Sequence, residues 1–109
     1  DFNDYVDSEP LGALAGAGLY NLMARVGPST RYTFIYQGVS QTLDHVLVSP
    51  ALAANSAENL FTHPIHLNAD YPASYEGDDS TARRSSDHEP IVVKLVVFEA
   101  FIYLPLIQR

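Results

Sequence analysis

Two Asp-His dipeptides stand out: Asp44-His45 in "QTLDHVLVS" (41–49) and Asp87-His88 in "RSSDHEPIVVKLVVF" (84–98). Each sits at the rim or in the middle of an apparent strand. A carboxylate bonded to one imidazole nitrogen fixes the tautomer of the ring and leaves the other nitrogen free to move protons. Strand alternation places Asp44, Val46 and Val48 on one face and Leu43, His45 and Leu47 on the other, so Asp44 and His45 diverge. A carboxylate among apolar neighbours is costly unless paired, and His88 is a good candidate for the partner. Such a pair serves folding as well as catalysis, and spacing alone leaves both open.

The elements that must position these groups are legible in outline. "LGALAGAGLYNLMARV" repeats apolar residues at helical spacing (Leu11, Leu14, Ala15, Gly18, Leu19, Leu22, Met23, Val26), which predicts a helix over 11–26 laid on a sheet. Pro10 suits its first turn and Gly27-Pro28 its end. Gly12, Gly16 and Gly18 each weaken it by about 1 kcal/mol relative to alanine. "RYTFIYQG" and "QTLDHVLVS" read as a hairpin joined through Val39-Ser40. Pro50 opens a short helical turn, "THPIHLNAD" is a third strand, and residues 71–86 form a polar loop. "PIVVKLVVF" reads as a buried strand, and an apolar stretch broken by Pro105 ends the chain.

Composition narrows the function. With 109 residues, 47% of them apolar, the chain has the size of one modest domain. A net charge of −7 and a pI near 4.7 argue against a stable grip on a phosphate backbone, although an enzyme whose metal ions neutralise its carboxylates escapes that argument. There is no cysteine, hence no disulfide framework or thiolate chemistry. No apolar run is long enough to span a membrane. The chain opens on Asp1 with neither initiator methionine nor signal peptide, and reads as a cut piece.

In order and spacing, "DFND" (1–4), "LDHVLVSPAL" (43–52) and "SDHEPIVVKL" (86–95) resemble the last three motifs of the endonuclease/exonuclease/phosphatase superfamily, to which the deoxyribonuclease I-like nucleases belong. "RYTFIYQGVSQTLDHVLVSPAL" and "HPIHLNADYP" are similar to its large secreted bacterial nucleases. The resemblance covers residues 1–97 as the C-terminal portion of the domain and leaves 98–109 as an apolar strand or tail. It implies an α/β fold, the C-terminal half of a two-sheet sandwich, contributing a mainly antiparallel sheet and one main helix.

The resemblance also implies roles. Asp1 and Asn3 match the residues that hold the attacking water and contact the phosphate. Asp44 matches the aspartate that orients the final histidine, and His88 is that histidine, acting in proton transfer. Asp87 matches an acidic ligand of the divalent ion, for which hard oxygen donors favour magnesium, then manganese or calcium, over zinc. The asparagine, glutamate and second histidine of the family's first half have no counterpart here. His45, His63 and His66 are expected in solvated or core roles, and Asp78, Asp79, Arg83 and Arg84 in a solvated loop.

The expected parent is therefore an extracellular, metal-dependent nuclease acting on DNA or RNA, and the isolated chain is expected to be inactive. A phosphatase or sphingomyelinase of the same superfamily, or a non-catalytic interaction module, is the alternative. Without its partner half the sheet would expose apolar residues among Phe34, Val46, Val48, Ile65, Leu67, Val92 and Leu95, which predicts a homo-oligomer.

Overall fold

The first helix, α1, spans Glu9–Gly16 and stops far short of Val26 in the computed structural model, which describes residues 1–55 and 61–96. Its end is a Schellman arrangement. Gly18 takes φ +96°, its N–H bonds to the Ala15 carbonyl, and the Leu19 N–H reaches back to Leu14 at 3.2 Å. The helical apolar spacing continues past this point, but the backbone does not. Tyr20–Asn21 turns into a short strand, β1, and Leu22–Arg25 forms a single 3-10 turn. The Asn21 side chain caps that turn by accepting from the Met23 N–H, and Leu22 and Met23 are fully buried.

The hairpin is present with its turn two residues earlier than the sequence suggests. β2 (Phe34–Tyr36) pairs antiparallel with β3 (Val39–Gln41), so Val39 and Ser40 belong to the return strand. The turn is Gln37-Gly38, with φ +48° and +80°. Two successive positive φ values match the right-handed twist of the flanking strands, which is why two-residue turns of this kind dominate tight hairpins. After Gln41 the chain leaves the ladder, and only β4 (Leu47–Val48) pairs again, with β1. The helical turn expected from Pro50 is α2, Pro50–Asn55, capped by the Ser49 hydroxyl, which accepts from Leu52 N–H.

β5 (Phe61–Pro64) and β6 (Ile91–Lys94) form the third antiparallel pair, Phe61 opposite Lys94 and Pro64 opposite Ile91. The fold is thus α/β in the broad sense, with two short α-helices and three small antiparallel pairs among the described residues. Leu22 N–H to the Val46 carbonyl extends the β1–β4 pair by one rung, and Glu89 N–H to the Thr33 carbonyl ties the hairpin to the β5–β6 pair, both 2.8 Å.

The core is small. Leu22, Val48 and Ala53 are buried together, with Val46, Leu52, Val93 and Leu95 packed against them. Contrary to the buried strand expected over 90–98, β6 is covered on one face only. Ile91 and Val93 turn inward, while Val92 remains 46% exposed. Of the residues expected on an uncovered face, Val48 is buried and Val46 and Leu95 flank the core, leaving Val92 as the one with a large exposure. The apolar stretch 98–109 and the boundary at 97 lie outside the described residues.

The hairpin turn makes a direct test. Gly38→Val forces a β-branched side chain into a left-handed backbone and is expected to lower stability by about 1–2 kcal/mol. Gln37→Asn should raise the unfolding midpoint, since asparagine tolerates that region. Urea denaturation followed by circular dichroism gives both. Identical midpoints for the three chains would show that this turn does not set the hairpin.

Candidate active site

Thr33, the residue before β2, organises the site although nothing in its sequence context marks it. It is fully buried, and its hydroxyl oxygen accepts from both the Leu43 and Asp44 N–H groups, at 3.1 and 3.2 Å. These two bonds hold the irregular stretch after β3 against the start of β2 and fix where Asp44 leaves the backbone. The Thr33 carbonyl accepts from Glu89 N–H and so draws the His88-Glu89 segment to the other side. One residue thereby brings together two segments 44 positions apart.

Between them Asp44 and His88 meet. Asp44 Oδ2 accepts from His88 Nδ1 at 2.6 Å, with the two side chains 13% and 23% exposed. This geometry puts a ring hydrogen on Nδ1, so that in the neutral ring Nε2 carries the lone pair, and Nε2 forms no hydrogen bond among the described residues. The His88 ring lies tilted against Phe34, centroids 4.9 Å apart. Its backbone is held at both ends, N–H to the Ser86 hydroxyl and carbonyl from the Asn68 side-chain amide at 2.7 Å.

Asp1 joins this group. Its backbone nitrogen is 4.0 Å from Asp44 Oδ1, and ligand atoms of Asp1, Asp44 and His88 all lie within 4.8 Å of one another. Asn3 is exposed, adopts φ +51°, and donates its backbone N–H to the Asp1 carboxylate. Asp87 is exposed and lies outside both clusters of three or more potential metal ligands found among the described residues. A magnesium-type ion takes about six oxygen donors. One exposed aspartate, with Asp44 committed to His88, does not fit a complete site, and the described residues alone would not hold the ion.

The other histidines are structural or belong to a second cluster. His45 and Asp44 turn to different partners, although their stretch lies outside any strand, and His45 is 7% exposed. Because Asn21 Oδ1 is engaged by Met23, the Asn21 amide NH2 points at His45 Nδ1, which accepts at 3.0 Å, while Nε2 donates to the Asp4 carbonyl at 2.8 Å. Both nitrogens are spent on tying the N-terminal segment to β1. His63 makes ring contacts with Phe61 and His66. His66 stacks on Tyr32, centroids 4.1 Å apart, and its Nε2 donates to the Thr30 carbonyl.

Glu89 is the other residue that sequence reasoning passed over. Its side chain is 0% exposed, and its carboxylate accepts from three consecutive backbone N–H groups, Leu67, Asn68 and Ala69, at 2.6 to 2.9 Å. The available signal was a charge placed between His88 and the start of an apolar strand, where burial demands partners. Tyr32 completes this region by donating to Asp70 at 2.8 and 3.0 Å. Burial first, then that hydrogen bond and the charges of Asp70 and Glu89, push the Tyr32 phenol up to about 12.

The loop arginines are not simply solvated. Arg84, 18% exposed at its side chain and with φ +58°, bonds Glu76 at 3.3 Å and the Asn68 carbonyl at 3.4 Å. Arg83 covers the Tyr71 ring at 4.8 Å. Arg84 thus braces the 71–86 loop against Asn68, which holds the His88 carbonyl, whereas Arg83 makes its contact within the loop.

Set against protein-family models, curated proteins and solved structures, the chain matches none of them.

Thr33→Val should cost about 1–3 kcal/mol for each backbone donor it strands, whereas Thr33→Ser, which keeps the acceptor, should stay close to the parent. In the valine chain the Asp44–His88 contact should loosen, seen as loss of the low-field Nδ1 proton resonance. A valine chain as stable as the serine chain would remove Thr33 from this role.

Proposed function

We propose that this chain supplies one wall of a metal-dependent phosphodiesterase of the endonuclease/exonuclease/phosphatase type, in a secreted nuclease that hydrolyses DNA or RNA. The observation that carries the reading is the 2.6 Å contact between Asp44 and His88, two residues that the motif resemblance assigns to one dyad and that lie 44 positions apart. The Asp1 carboxylate, within 4.8 Å of the ligand atoms of Asp44 and His88, supports it further. On this reading Asp44 holds the His88 tautomer, and His88 Nε2 exchanges a proton with the phosphoryl group or its attacking water. Asp1 and Asn3 orient that water and the phosphate. Asp87 would offer one oxygen to a magnesium ion, which would supply charge to polarise the phosphate; the remaining ligands, like the second sheet of the sandwich, would come from the family's first half. No helix among the described residues is long and apolar enough to cross a membrane.

Two outcomes follow for activity. The 109 residues alone should leave DNA, RNA and a simple phosphodiester uncut above background with magnesium or manganese present. In a longer polypeptide that carries this chain, Asp44→Ala and His88→Ala should each reduce kcat by orders of magnitude, and the double variant should be no worse than the poorer single one. Robust turnover by the chain alone, abolished by His88→Ala, would end the two-part reading, and additive losses would separate the two residues.

The reading also bears on assembly. Phe61 and Val92 are 51% and 46% exposed and share the outer face of the β5–β6 pair, and Tyr36 and Val39 are exposed in the hairpin. In the absence of a partner half, a second copy of the chain is the proposed cover. Sedimentation equilibrium at micromolar concentration should give a dimer or larger species. A monomer that unfolds cooperatively would count against it.

A further inference from the structure

We propose that His66, Asp70 and Glu89 form a cation site of their own, separate from the Asp44–His88 pair and suited to a zinc-class divalent ion. Their ligand atoms lie within 4.8 Å of one another. The donor set is an imidazole nitrogen and two carboxylates, and the imidazole favours zinc-class ions over magnesium.

The hydrogen-bond accounting of the cluster points to a cation. His66 Nε2 must carry the ring hydrogen, because its partner at 3.0 Å is the Thr30 carbonyl. Nδ1 is therefore a lone pair in the neutral ring, and it is buried without a hydrogen-bond partner. It faces Glu89 Oε1 at 4.0 Å. The N–H groups of Leu67, Asn68 and Ala69 are already used by Glu89, and the Tyr32 hydroxyl is used by Asp70. These lone pairs thus face one another with no hydrogen-bond donor among the described residues directed between them.

A proton on Nδ1 would not bridge the gap, since 4.0 Å exceeds hydrogen-bond range. A metal would come nearer to doing so. With bonds of about 2.0–2.2 Å, ligands around a tetrahedral zinc stand about 3.4 Å apart, so the His66–Glu89 pair closes by roughly half an ångström, and the exposed Asp70, within 4.8 Å of both, moves in from the solvent side. Asp70 is exposed, which leaves a solvent side for a water ligand.

The outer shell strengthens the assignment. Metal-binding imidazoles typically donate their second nitrogen to a carbonyl or carboxylate, and metal-binding carboxylates are themselves held by hydrogen bonds. Here His66 is held by Thr30 and stacked on Tyr32, Asp70 is held by the Tyr32 hydroxyl, and Glu89 is held by three backbone N–H groups. All three ligands are oriented in advance.

The test uses the full chain, stripped with a chelator and titrated with Zn2+ by calorimetry at neutral pH, with Co2+ as the absorbing stand-in. At least one ion per chain should bind, persist in His88→Ala, and raise the unfolding temperature. Asp70→Asn and His66→Gln should each weaken binding about tenfold or more. Asp70 is exposed, so its variant tests the site even if changes at buried Glu89 prevent folding. Binding that survives Asp70→Asn and His66→Gln but vanishes in His88→Ala would place the ion on the dyad and overturn the proposal. So would an absence of binding, or nitrogen NMR showing His66 Nδ1 protonated and unmoved by Zn2+.

Discussion

A carboxylate removed entirely from solvent is the most demanding feature of this molecule. Glu89 carries a charge into the interior, where an unpaired ion is far more costly than any contact of the small apolar core is favourable. Three successive backbone N–H groups, from Leu67 to Ala69, converge on it, and hydrogen bonds to an ionised acceptor are about twice as strong as neutral ones. The requirement runs both ways. Glu89 folds the segment after β5 into a tight arc, and that arc places the Asn68 amide on the His88 carbonyl. The histidine of the dyad is held through its neighbour in sequence.

Thr33 does the same on the opposite side with a neutral group. Its hydroxyl satisfies two backbone donors in a stretch that has left the β3 ladder, and its carbonyl receives Glu89 N–H. Buried donors without acceptors would otherwise destabilise the chain by more than a typical hydrogen bond contributes. Three strand pairs of two to four residues each are too short to define a rigid platform. Side-chain-to-backbone bonds supply the missing rigidity, and they cluster where Asp44 and His88 meet.

The histidines illustrate how one residue type takes its role from its surroundings. His45 spends both nitrogens on neighbours, so it joins segments and has no chemistry to offer. His88 spends one on Asp44 and keeps the other. His66 spends one on Thr30 and keeps a buried lone pair facing carboxylates. In each case the hydrogen bond made by one nitrogen dictates what the other can do.

Local pattern and solvation cost were readable from the residues alone. The need of Asp44 for a partner, its divergence from His45, the hairpin, the helical turn after Pro50 and the polar loop after residue 70 all depend on neighbours within a few positions. The broad α/β character follows from the same periodicities, whereas the division into three separate pairs does not. The helix was overextended because apolar spacing continues through Gly18, while termination depends on a left-handed residue and carbonyls three and four positions back. The hairpin turn was misplaced because Gln37 is an unremarkable residue in an unusual backbone state. Glu89, Thr33 and the His66 cluster were invisible for a different reason: their partners lie 10 to 56 positions away. Sequence periodicity reports which face a residue takes. Only the folded chain decides which buried donor finds which acceptor, because that choice is made by the packing of segments with no local relation to one another.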